Sequence, residues 1–233
     1  MRPSQMQAIA PGTPEDSPAK PGTYERLLAA AAAMFRQRGY EGTSTRELAD
    51  VLGVQKASLY HYMSSKEELL YEMSTRSMDL MDARIAAAVQ TSTGAIDRLT
   101  ALIESHVEAM LENPDPYAAS LLEMRSLRGE HARQLIARRK NYEKLVVEMV
   151  AAAQDHGALR ADIGPYHLAR LLLGTMNWTL FWYHPEGPVS PVEVAAMIRT
   201  VILDGFLVRT ASDNDGEPDQ SMTPESRARG AST

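Results

Sequence analysis

Behind a Leu-Gly-Val turn at Leu52, Gly53 and Val54, the chain presents Lys56, Ser58, Tyr60, His61 and Tyr62 within seven residues. Such polar side chains can hydrogen-bond base edges or phosphates, and tyrosine rings can pack on thymine methyl groups and sugars. Arg46 and Lys66, each at the start of a flanking helix, are spaced to reach phosphates. A second set is apolar with one polar handle. Trp178 and Trp182, the chain's two tryptophans, stand four residues apart, with Asn177 beside one and Phe181 beside the other. That composition suits a pocket for an apolar or amphipathic small molecule; plain packing in a core or an interface suits it equally. The third set is electrostatic. Between Arg125 and Lys144 seven cations face two anions, in a chain of net charge −6. A solvated helix face is the simpler reading, whereas a basic rim beside a pocket would suit the phosphates of a CoA thioester, since arginine grips phosphate by paired hydrogen bonds. The candidate ligand residues are Arg125, Arg128, Tyr142, Asn177, Trp178, Phe181 and Trp182.

Helices must position these groups. Apolar residues recur at helical spacing through almost every window from Thr23 to Thr210, and no stretch alternates long enough for a half-buried strand, so the fold class is all-α, with about nine helices. A first helix over Tyr24–Arg38 should end on a left-handed cap at Gly39. Ser44 with Glu47, and Ser65 with Glu68, have capping-box spacing and open two further helices. Between them a short helix over about Gln55–Met63 follows the Gly53 turn. Leu59 and Met63, four apart, share its buried side. Two short helices joined by a tight glycine turn follow the helix-turn-helix plan, whose second helix enters the major groove. The stripe from Ile96 to Leu111 should break at the Asn-Pro-Asp-Pro run, Asn113 to Pro116. Another helix ends near Gly157. Two last helices cover about Tyr166–Tyr183 and Pro191–Arg209. The first of these is apolar nearly all round, so it should be buried on several sides and needs two partners.

Composition bounds the function. Hydrophobic residues at 44% and charged residues at 23% are ordinary for a soluble globular chain. The absence of cysteine removes disulfides, thiol nucleophiles and Cys-ligated metals. No run approaches a membrane span or a signal peptide, so a cytoplasmic protein without a membrane partner is expected. The net charge argues against a nonspecific polyanion binder while leaving room for a focused DNA-reading surface. No phosphate-binding glycine loop, nucleophile elbow or His-Glu-x-x-His motif occurs, and the six histidines hold no i, i+4 ligand pair. No enzyme, cofactor or metal is therefore expected. The expected organisation is a disordered arm over 1–22, a helix-turn-helix domain over 23–70, a ligand-binding and dimerisation domain over 71–210, and a disordered acidic tail over 211–233.

Capping boxes and a glycine turn also occur in helical bundles that read no DNA, and residues Thr43 to Lys66 carry only one excess positive charge. On local physics both readings stay open. The order Gly39-Tyr40, Thr43-Ser44-Thr45, Leu48-Ala49, Leu52-Gly53-Val54, Ser58-Leu59-Tyr60 and Ser65-Lys66-Glu67-Glu68-Leu69 resembles, without gaps over nearly fifty residues, the DNA-binding domain of TetR-family regulators. The resemblance implies an all-helical homodimer that reads palindromic double-stranded DNA and is controlled by a small ligand. It also implies DNA contacts at Thr45, Arg46, Lys56, Ala57, Ser58, Tyr60, His61, Tyr62 and Lys66. Tyr62 departs from the phenylalanine or histidine of many members. The segment Leu171 to Phe206, with Asn177-Trp178, Trp182-Tyr183, Pro185, Gly187, Ser190 and Pro191, resembles the C-terminal domains of TetR regulators of fatty-acid or steroid catabolism. That resemblance implies an acyl-CoA inducer. A drug-responsive repressor of an efflux gene is the alternative, and a helical enzyme the remote one.

Overall fold

The computed structural model describes residues 22–206. Nine α-helices follow in order: α1 (Thr23–Arg38), α2 (Thr45–Leu52), α3 (Lys56–Leu59), α4 (Lys66–Gln90), α5 (Ala95–Glu112), α6 (Pro114–Leu122), α7 (Gly129–Asp155), α8 (Pro165–Trp182) and α9 (Pro191–Phe206). A 3-10 turn over Met124–Ser126 joins α6 to α7, and no strand occurs among the described residues. The expected arm and acidic tail lie outside the described residues, apart from Gly22, as does the continuation of the last helix to Arg209.

Local signals account for most helix ends. Ser44 Oγ accepts from the Glu47 N–H at 3.2 Å, and Glu47 Oε2 accepts from the Ser44 N–H at 2.8 Å, closing the box that starts α2. Gly53 ends α2 at φ 71°, ψ 30°, a left-handed conformation costly for any residue with a Cβ. Two expectations need correction. Gly39 has positive φ, but its ψ of 163° puts it outside the left-handed helical region, in extended backbone open essentially to glycine. At α4 the Ser65 hydroxyl accepts from the Glu68 N–H as expected, but the Glu68 carboxylate turns back to the N–H and hydroxyl of Ser64 rather than to Ser65. The Asn-Pro-Asp-Pro run ends α5 and also begins a helix, because Pro114 needs no N–H donor at the first position of α6.

Two apolar clusters hold the fold. One gathers Leu27, Ala31 and Phe35 of α1, Leu48 of α2, Leu59 of α3, and Leu69, Leu70 and Met73 of α4. The other packs α5, α7, α8 and α9 through Ile103, Val107, Val150, Leu172, Met176 and Val194. A division at residue 70 would fall inside one helix, since α4 runs on to Gln90. The first cluster also takes in Ala119 of α6, Leu127 of the connection before α7, and Leu135 of α7. Arg36 of α1 reinforces the join, reaching Asp115 at 2.9 Å and the Leu180 carbonyl at 3.3 Å.

Candidate functional site

The first candidate is the surface of α2 and α3. Leu59 and Met63 are buried, as their spacing requires, which turns the rest of the segment outward. Arg46, Lys56, Ala57, Tyr60, His61 and Tyr62 are exposed, Thr45 and Ser58 half-buried. Tyr60 and Tyr62 expose 51% and 40% of their surface, unusual for tyrosines in a folded core and suited to stacking on a partner. The helix is shorter than expected: α3 proper ends at Leu59, and His61, Tyr62 and Met63 continue as tight turns bonded to Ser58 and Leu59 carbonyls.

Lys66 is placed otherwise than expected. Its ammonium donates to the Tyr40 and Thr43 carbonyls, both at 2.7 Å, and sits 4.3 Å over the Tyr40 ring. The stretch between α1 and α2 thereby engages two of the three ammonium donors that a phosphate could otherwise use. Burial and the nearby Glu67 and Glu41 carboxylates raise the pKa of the Tyr40 phenol.

The second candidate is a cavity of about 540 Å³ between α4, α5, α6, α7 and α8. Apolar walls come from Met78, Met81, Met110, Leu121, Met124 and Leu173, and methionine adapts to irregular ligands. His106, Tyr142 and Asn177 form a chain inside it. Tyr142 Oη lies 2.7 Å from His106 Nδ1, and Asn177 Oδ1 lies 3.2 Å from Nε2. The amide oxygen only accepts, so Nε2 carries the ring proton and Nδ1 accepts from the tyrosine hydroxyl. Burial drives His106 down to about 4, with the Asn177 bond opposing, so the imidazole is neutral near pH 7. Burial likewise raises the Tyr142 phenol.

Of the expected ligand residues, the cavity gathers Tyr142 and Asn177. Trp178, Phe181 and Trp182 point the other way, exposing 62%, 52% and 43% of their surface. Together with Leu171 on α8 and Val192, Met197 and Val201 on α9 they make an apolar outer face. Arg125 and Arg128 are exposed and do not line the cavity. Most of the basic segment is spent on the surface: Arg133 pairs with Glu130, Arg138 with Asp79 and Asp82, Lys144 with Glu148. Arg139 alone of those seven cations lines the cavity. It was legible as an outlier, since Leu135, Arg139, Tyr142, Val146 and Val150 share one helical stripe and a lone arginine interrupts an apolar face. His106 gave the same signal between Ile103 and Met110.

An exposed helix-turn-helix surface joined through α4 and α6 to a larger helical unit is the arrangement of a DNA-binding regulator. Residues 27–73 match the family described as "Bacterial regulatory proteins, tetR family", and residues 92–206 match "Tetracyclin repressor-like, C-terminal domain". The chain belongs to the TetR family. The HTH-type transcriptional repressor KstR2 of Mycolicibacterium smegmatis is 28% identical over 193 residues, covering 82% of this chain and 94% of that protein. The solved ketosteroid transcriptional regulator KstR2 of Mycobacterium tuberculosis superposes with a TM-score of 0.77 at 27% identity, over 81% of this chain and 96% of the other. PfmR of Thermus thermophilus gives 0.69 at 31% identity, over 77% and 97%. AibR, solved with isovaleryl coenzyme A and operator DNA, gives 0.68 at 28% identity, over 77% and 97%. Among the described residues no helix is long and apolar enough to cross a membrane.

Proposed function

We propose that the chain is a repressor that occupies a palindromic operator as a homodimer and is released by an acyl-CoA-type inducer. The carrying observation is the cavity whose walls, α4 and α6, also carry Met73 and Ala119 of the N-terminal core. A ligand that favours a different spacing of α4 and α6 lowers DNA affinity by linkage, in proportion to its preference for that conformer. The repressor name of KstR2 and the CoA ligand of AibR support this reading. The apolar outer face of α8 and α9 supports a two-fold interface in which each copy buries the same patch, and such symmetry matches recognition helices about 34 Å apart on a palindrome. Thr45, Arg46, Lys56, Ala57, Ser58, Tyr60, His61 and Tyr62 would face the DNA. With Arg125 and Arg128 outside the cavity, the half-buried Arg139, which pairs with no described carboxylate, is what favours an anionic inducer over the neutral or cationic drugs of an efflux repressor.

The test is operator release. Fluorescence anisotropy on labelled operator should show saturable release by acyl-CoAs and none by free CoA. Release by uncharged drug-like compounds, with no response to any acyl-CoA, would establish the efflux reading instead.

A further inference from the structure

Several polar groups that line the cavity have donors left over, beside two carboxylates, Asp82 and Glu143. Arg139 Nη2 donates to the carbonyl and hydroxyl of Ser120 at 2.8 and 3.1 Å, which leaves its Nε and Nη1 hydrogens without an acceptor among the described residues. No described carboxylate pairs with it, in contrast to Arg138 one position earlier. Tyr117 Oη is buried and has no hydrogen-bond partner among the described residues. Asn177 spends its oxygen on His106 and has its amide hydrogens free. The two lining carboxylates are engaged, Asp82 by Arg138 and Glu143 by Arg170. A partly buried guanidinium without a counter-ion is less favourable than one paired with a carboxylate, and desolvation does pull Arg139 below its ordinary range and push Tyr117 up to about 12.

We propose that Arg139, Tyr117 and Asn177 form an anion subsite within the cavity, which takes an anionic oxygen group, carboxylate or phosphate, of an otherwise apolar ligand. This rests on the cavity being the inducer site, and it narrows the inducer class. A plain fatty-acyl chain filling the cavity leaves the three donors unmatched. A ligand whose buried portion carries its own carboxylate, such as the mono-CoA thioester of a dicarboxylic acid, satisfies them, as does a CoA folded so that a phosphate enters. Arg139 also ties α7 to Ser120 of α6, whose neighbour Ala119 lies in the N-terminal core. An anion drawing the guanidinium inward therefore acts on a helix shared with the DNA-binding unit.

Calorimetric titration of the full chain with four probes tests this: a dicarboxylic mono-CoA thioester, its terminal methyl ester, the fatty acyl-CoA of matched length, and free CoA. The wild type should bind the carboxylate-ended thioester about tenfold to a hundredfold more tightly than the methyl ester, the range for hydrogen bonds to a charged group. Arg139→Gln and Tyr117→Phe should each shrink that ratio by weakening the carboxylate-ended thioester more than the ester. Equal binding of both thioesters and the plain acyl-CoA, unchanged in Arg139→Gln, overturns the subsite and leaves the inducer reading standing. A preference absent between the thioesters but an Arg139-dependent affinity for free CoA identifies the anion as phosphate and sustains the subsite. Failure of all four probes to bind overturns both readings. The wild-type comparison of acid and ester needs no variant, so a misfolded Arg139→Gln does not shield the proposal.

Discussion

The neutral imidazole of His106 makes a measurable claim on stability. Its ordinary value is 6.5, and burial lowers it to about 4 in the folded chain. A histidine whose folded value is depressed stabilises the fold above its unfolded value, and that stability is lost as pH falls from 6.5 towards 4, because the unfolded chain then binds a proton that the native chain refuses. At pH 7 the contribution is complete. At pH 5 the deficit is about 2 kcal/mol, and near pH 4 about 3 kcal/mol, from roughly 1.4 kcal/mol per pH unit over the gap. His106→Gln removes the titration while keeping groups able to donate towards Asn177 and accept from Tyr142. Urea unfolding followed by circular dichroism at pH 7, 6 and 5, at one protein concentration, measures both chains. The wild type should lose about 2 kcal/mol more than His106→Gln between pH 7 and 5. Equal losses would refute the buried, neutral state of His106 and with it the assigned direction of the Tyr142 and Asn177 hydrogen bonds.

Four further outcomes follow from the same geometry. Lys66→Met should lower the thermal midpoint by several degrees by freeing the Tyr40 and Thr43 carbonyls, yet leave the salt dependence of operator binding unchanged; Arg46→Ala should do the reverse, cutting the slope of log K against log salt by about 0.9. Tyr60→Ala should weaken operator binding by about 1 to 3 kcal/mol in an anisotropy titration, with the dimer intact by light scattering. Gly53→Ala should destabilise by about 1 to 2 kcal/mol in denaturant unfolding, through backbone strain alone, since a Cβ there meets nothing within 4 Å. Trp178→Glu should shift the chain towards monomer in light scattering, because it places a charge on the apolar outer face.

What could be read along the chain is what neighbours within one turn decide. The α2 cap needs only Ser44 and Glu47, three residues apart, and the Gly53 turn only its missing Cβ, so the helix-turn-helix plan and the outward set from Lys56 to Tyr62 follow from local spacing. Burial of Leu59 and Met63 fixed their direction. Tertiary structure decided everything that required a partner far along the chain. Both faces of α8 are apolar, so periodicity cannot say which looks inward; packing against α5 and α7 turned Asn177 and Leu173 into the cavity and left both tryptophans outside. Lys66 has the sequence context of a phosphate contact, and its acceptors lie 26 and 23 positions earlier. Among the cations from Arg125 to Lys144, Arg139 is marked in the sequence by its place in the apolar stripe of Leu135, Tyr142 and Val146. What it meets there is not, because that depends on where α7 lies against α6, and the tertiary fold set it against the carbonyl and hydroxyl of Ser120.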